Sequence, residues 1–67
     1  LKITINRREY NFNERELTVK EILDRMNFTF PMIVVKVNDI LVKKEDYKKS
    51  VISENDKVEV IHLISGG

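Results

Sequence analysis

The chain is predicted to fold as a small α+β domain, a mixed sheet of four to five strands with one main helix on one face. Three observations predict it. Apolar and polar residues alternate in Leu1–Asn6, Glu9–Asn13 and Lys57–Val60, the period of half-buried strands. A single stretch, with Val19, Ile22, Leu23 and Met26, has the i, i+3, i+4, i+7 spacing of an amphipathic helix. The 67 residues are enough for one core and no more, and so small a domain buries only about 60% of its unfolded surface.

Each element has its own local reason. Leu1–Asn6 and Glu9–Asn13 flank Arg7-Arg8 and read as a hairpin, although the connection lacks the usual Asn-Gly or Asp-Gly. Thr18-Val19-Lys20-Glu21 is a capping box, and Leu17 with Ile22 has the spacing of a hydrophobic staple. The helix so started is expected to run about ten residues, ending near Asn27 and before Pro31. Met32–Asn38 is a β-branched strand, with Ile33, Val35 and Val37 inward and Val34 and Lys36 outward. Asn38-Asp39 marks a tight turn into a short returning strand, Ile40–Val42. Lys43–Ser50 is polar and turn-like around Tyr47, and Val51 and Ile52 follow as apolar anchors. Asn55 suits a left-handed position in the Ser53–Asp56 turn.

Lys57–Ile64 is the last strand. Val58 and Val60 face inward, which leaves Ile61 and Leu63 on the solvent side with Glu59. Those two residues form either a binding patch or a stretch whose twist tucks one of them inward. The pattern itself gives a small α+β domain with one helix packed on a sheet. By analogy, a hairpin, a crossing helix and further strands resemble the β-grasp or ubiquitin-like arrangement, in which the first and last strands pair in parallel near the middle. The expected division is a β-grasp domain over residues 1–64 and a flexible Gly-Gly tail over 65–67.

Composition removes whole classes of function. The chain is 42% hydrophobic and 34% charged, the balance of a folded domain and not of a disordered tail. It has no cysteine, which excludes disulfides, a thiol nucleophile and a thiolate metal site. A net charge of +1 with interspersed signs argues against phosphate-driven nucleic-acid binding. No apolar run approaches a membrane span and no leader-like segment precedes the first strand, so a cytoplasmic setting is expected. His62 is the only imidazole and cannot build a metal site or catalytic dyad alone. No phosphate loop is present, and no deep pocket of the usual ligand size is expected. The chain is therefore not expected to be an enzyme or to bind a cofactor. Lys43, Lys44, Lys48 and Lys49 form a basic cluster, either a solvated surface or an electrostatic contact.

The two glycines of the chain are its last two residues, Gly66 and Gly67, and none serves a turn. The reactive group of such an end is the Gly67 α-carboxylate. Attack on the α-phosphate of ATP would convert it to an acyl-adenylate, inside a partner enzyme holding ATP and magnesium. Glycine has no Cβ, so its backbone can enter a narrow channel that side chains would obstruct.

Here the chain resembles a known family. Val34–Tyr47, "VVKVNDILVKKEDY", with Glu54–Gly67, "ENDKVEVIHLISGG", and Leu17–Leu23, "LTVKEIL", is similar to the ubiquitin-like sulfur carriers of the ThiS type, from thiamin biosynthesis. Asn55 stands where that family commonly has glycine, Tyr47 where it often has Trp, and Lys43 where it often has Pro. The resemblance implies a protein co-substrate. An E1-like (ThiF-like) adenylyltransferase would adenylate Gly67, using ATP and magnesium. Sulfur, drawn from cysteine through a desulfurase, would replace AMP to give a thiocarboxylate. A ThiG-like thiazole synthase would then take that sulfur. It implies transfer chemistry at Gly66 and Gly67, a lead through Ile64 and Ser65, and partner docking through Ile61 and Leu63. The rival readings are the sulfur-carrying small subunit of molybdopterin synthase, a ubiquitin-like protein modifier and a plain binding module.

Overall fold

In the computed structural model, which describes residues 1–63, the chain begins with β1 (Lys2–Ile5) and β2 (Arg8–Asn11). A short β3 (Leu17–Thr18) leads into α1 (Val19–Arg25). Then come β4 (Ile33–Val37), β5 (Ile40–Val42), a 3-10 turn at Lys44–Asp46, β6 (Val51–Ile52) and β7 (Lys57–His62). The main sheet has five strands in the order β2-β1-β7-β4-β5, and β3 and β6 form a second, two-stranded sheet. The central pair is parallel, with Thr4 opposite Lys57 and Ile5 opposite Val58. The other pairs are antiparallel. This is the expected mixed sheet with one helix; the β3–β6 sheet was not anticipated, because two-residue strands leave no periodicity to read.

The helix starts as its residues dictate. The Thr18 hydroxyl accepts from the Glu21 N–H at 3.1 Å, and the Thr18 N–H donates to the Glu21 carboxylate at 2.9 Å. Leu17 and Ile22, the staple pair, are both buried. At seven residues α1 is shorter than the expected ten. Asn27 ends it in the left-handed conformation, φ 59°. The Phe28 N–H reaches the Leu23 carbonyl and the Asn27 N–H that of Asp24, the paired bonds of a Schellman stop.

The core lies between helix and sheet. Ile3 and Ile5 of β1, Val35 of β4 and Val58 and Val60 of β7 meet Val19, Ile22 and Leu23 of α1, with Leu17, Ile52 and Tyr47 closing the ends. Burial pushes the Tyr47 phenol above its ordinary pKa. Ile33 and Val37 pack against this core, as their alternation predicts. Val51 differs from expectation. It is exposed while Ile52 is fully buried, because paired strand residues point to opposite faces. Each fully buried Ile or Val contributes about 1.5–3 kcal/mol. An exposed ion pair contributes about 0.2–1 kcal/mol, so burial and not surface charge holds this fold together.

The turns are made without glycine. Asn6 and Arg7 (φ 51° and 70°) connect β1 to β2, and Asn38 and Asp39 (φ 51° and 69°) connect β4 to β5. Positive φ at both central residues is the type I′ hairpin geometry. Asn55, at φ 69°, takes the left-handed position expected of it.

Candidate functional site

The sheet has one face covered by the helix and one open, and β7, at its centre, displays the candidate residues. Lys57, Glu59 and Ile61 alternate with the buried Val58 and Val60, so they line the open face. Ile61 lies opposite Val34 of β4, and Glu59 opposite Lys36. The Leu63 N–H donates to the Met32 carbonyl at 2.9 Å, which carries the ladder one step past the strand. Ile61 and Leu63 are 43% and 44% exposed, so neither is tucked inward. Met32 and Leu41 are also exposed large apolar residues, Leu41 lying opposite Lys36 in the register. An apolar patch thus surrounds the end of the last strand, broader than the two residues expected from alternation. Val34 faces outward as its alternation predicts, but its place beside Ile61 depends on the strand order, and Met32 reads in the sequence simply as strand material. Ile64, Ser65, Gly66 and Gly67, the other expected site residues, lie outside the described residues, as does the boundary drawn at residue 64.

On the helix-covered face the same strand end is braced by aromatic rings. His62 stacks on Phe30 with centroids 4.1 Å apart, and Phe30 stacks on Phe28 at 6.5 Å. His62 is exposed, and the stack ties the segment after α1 to the end of β7. The readable signal was the Phe28-Thr29-Phe30 alternation, which places both rings on one side of an extended segment.

Beside Ile61, a shallow concavity of about 300 Å³ is lined by Thr4, Asn6, Arg7, Lys57, Glu59 and Ile61. Lys57 is held 2.9 Å from Asp39 and 3.6 Å from Glu59. Its hydrogen bond to Asp39 is the main cause that raises its pKa above the ordinary lysine value. Lys43, Lys44, Lys48 and Lys49 are exposed, the arrangement of a solvated surface. Among the described residues no cluster of three or more His, Cys, Asp or Glu is placed to hold a metal ion. No described helix is long and apolar enough to cross a membrane.

The order β2-β1-β7-β4-β5, with a parallel central pair and one helix across one face, defines a ubiquitin-like β-grasp protein with an exposed apolar patch at the end of its last strand. Over its full length the fold superposes on the crystal structure of the thiamine biosynthesis protein ThiS from Geobacter metallireducens, covering all of both chains with a TM-score of 0.89 at 20% identity. The chain belongs to the ThiS family, whose profile matches residues 3–67. It is 29% identical over 63 residues to "Uncharacterized protein ycf40" of Trieres chinensis, spanning 94% of this chain and 85% of that protein. It is 30% identical over 67 residues to a thiazole synthase of Paramagnetospirillum magneticum, where it spans only 20% of the longer protein.

Proposed function

We propose that the chain is a sulfur carrier for thiazole formation in thiamin biosynthesis, with Gly67 as the residue that carries the sulfur. The observation behind this reading is the family match, which runs through the final Gly-Gly. The thiazole synthase that contains a segment like this chain supports the same recipient.

In the proposed cycle, a Gly67 carboxylate oxygen attacks the α-phosphorus of ATP, and pyrophosphate leaves. The resulting mixed anhydride has AMP as a good leaving group. A sulfide-level sulfur nucleophile then adds to the carbonyl carbon and AMP departs, leaving a thiocarboxylate. That sulfur is more nucleophilic than a carboxylate oxygen and passes to the thiazole synthase. The partner enzymes supply ATP, magnesium and the catalytic groups, and the chain itself supplies the acyl group. Gly66 and Gly67 keep the approach free of side chains, Ile64 and Ser65 lead to it, and Ile61 and Leu63 dock the domain. The proposed setting is the cytoplasm, with a cysteine desulfurase as the ultimate sulfur source.

Intact-mass spectrometry tests this reading. The chain is incubated with an E1-like adenylating enzyme of the same genome, ATP, magnesium and a sulfur donor. The expected result is the mass change of one oxygen exchanged for sulfur. The variant lacking Gly66 and Gly67 should remain folded and show no change. An unchanged mass for the parent chain, with an enzyme active on another carrier, overturns the proposal.

A further inference from the structure

The β1–β2 turn carries a side chain that its backbone does not favour. Arg7 has φ 70°, in the left-handed region where a Cβ is disfavoured and glycine is preferred. It occupies the second central position of the type I′ turn, where glycine is the usual residue. Among the described residues its guanidinium has no carboxylate within ion-pair distance and no hydrogen-bond partner. Nothing in the described fold offsets the choice of arginine there.

The turn is nevertheless held firmly. Asn6, the preceding residue, bonds both the N–H and the carbonyl of Val60 on the last strand. Arg7 therefore stands at a fixed place, lining the open-face concavity together with Ile61. Within that concavity the charge of Lys57 is met by Asp39 and Glu59. Among the described residues Arg7 is the cation of that concavity left without a counterion, beside one of the two residues expected to dock the partner.

We propose that Arg7 is an anion-docking residue, which receives a carboxylate of the ATP-dependent adenylating partner in the concavity beside Ile61. A guanidinium fork matches a carboxylate with two parallel N–H···O bonds, and a partly enclosed pair of this kind is stronger than an exposed one. Backbone strain retained at a turn without internal benefit is what a binding role at that position would maintain. This proposal rests on the carrier reading above.

The experiment measures pyrophosphate release by the adenylating enzyme with the parent chain, Arg7→Gly, Arg7→Lys and Arg8→Ala. Arg7→Gly should melt roughly 2–6 °C higher, because the turn is relaxed. Its KM should nonetheless rise about fivefold or more with kcat unchanged, because uniform binding has been lost. Its KM should also respond less to salt than that of the parent. Arg7→Lys should fall between the two. Arg8, whose register partner is the buried Ile5, serves as the control and should leave KM unchanged. A KM within about twofold of the parent for Arg7→Gly, or an equal loss in Arg8→Ala, overturns the assignment to Arg7. A lower melting temperature for Arg7→Gly overturns the strain argument. No turnover of the parent chain overturns the carrier reading itself, so the two failures are distinguishable.

Discussion

The side-chain amide of Asn6 pairs with Val60 as a peptide group would: its Nδ2 donates to the Val60 carbonyl at 3.1 Å, and its Oδ1 accepts from the Val60 N–H at 2.8 Å. The parallel ladder between β1 and β7 stops at Ile5 and Val58, and the Asn6 N–H takes the Val58 carbonyl. The amide then supplies one more rung after β1 has turned away. Asn38 holds the start of β7 with its backbone N–H and its side-chain oxygen. Its N–H donates to the Lys57 carbonyl at 2.7 Å, and its Oδ1 accepts from the Lys57 N–H at 2.9 Å. Both asparagines open type I′ turns at φ 51°. Glycine would fit those backbones equally well but has no amide to offer. The strand that presents the candidate site is thus fastened at its start and middle by the turns on either side of it.

Replacement of Asn6 by glycine separates turn conformation from strand bracing. The backbone remains comfortable, while two hydrogen bonds are lost and a partly buried strand N–H and carbonyl lose their partners. Each bond contributes about 0.5–1.5 kcal/mol, whereas relief of left-handed strain is small for asparagine. The loss dominates, and urea denaturation should show Asn6→Gly less stable by about 1–2 kcal/mol. Asn6→Asp should lie below the parent too, because a carboxylate oxygen then faces the Val60 carbonyl. A glycine variant as stable as the parent would show that the amide contributes nothing.

Removal of the Thr18 hydroxyl should cost about 1 kcal/mol, since a helix of seven residues depends on its cap. In a domain of this size that corresponds to a fall of roughly 4–8 °C in Tm. Glu21→Gln keeps an acceptor for the Thr18 N–H and should change Tm far less. Calorimetry of the two variants checks this, and an equal fall in both would assign the effect to helix charge instead of the reciprocal bonds.

Much of the fold was legible because burial repeats along the chain. Ile3 and Ile5, or Val58 and Val60, declare an inward face by spacing alone, and Thr18 with Glu21 declares a helix start. The asparagine braces were not legible, because they join residues 54 apart in one case and 19 in the other. A turn signal at Asn38 says that the chain reverses and does not say where its amide points. The β3–β6 pair was hidden for a similar reason: Leu17 meets Ile52 only once the helix has folded between them. At the site, alternation placed Ile61 and Leu63 outward, but the contributions of Met32 and Val34 depend on strand order.

Acid should weaken the fold partly through Glu14. The Arg25 guanidinium makes a two-pronged hydrogen bond to its carboxylate, and this bond is the main cause that holds the Glu14 pKa below the ordinary glutamate value. A group whose pKa is lower in the folded state contributes stability above its unfolded pKa, and loses it as pH falls through the folded value. The urea midpoint should therefore decline as pH falls from the ordinary glutamate value through the lower folded one, and Arg25→Gln should flatten that decline. A carboxyl NMR titration of Glu14 at the ordinary glutamate value, unchanged by the Arg25 substitution, would contradict the pairing. Lys57 behaves in the opposite sense. Its raised pKa means a contribution that is intact below the ordinary lysine value and lost as pH rises through the folded one.

The apolar patch yields a prediction in which stability and function part company. Ile61 and Leu63 are 43% and 44% exposed, so the fold still covers more than half of each, and changing both to serine gives up part of that burial. The expected stability loss is about 2–4 kcal/mol for the pair, by the area lost from the fold. Docking on the adenylating partner, however, would bury the same side chains, and their removal should raise KM about tenfold, or 1.4 kcal/mol. The double variant should thus melt below the parent, keep the kcat of its folded fraction at saturating carrier and lose apparent affinity. Val35→Ala supplies the contrast. Val35 is fully buried and lies beside Val60 in the register, so it should lower Tm markedly while leaving the KM of the folded fraction unchanged. A serine variant with parental KM would place the docking surface elsewhere than on the end of β7.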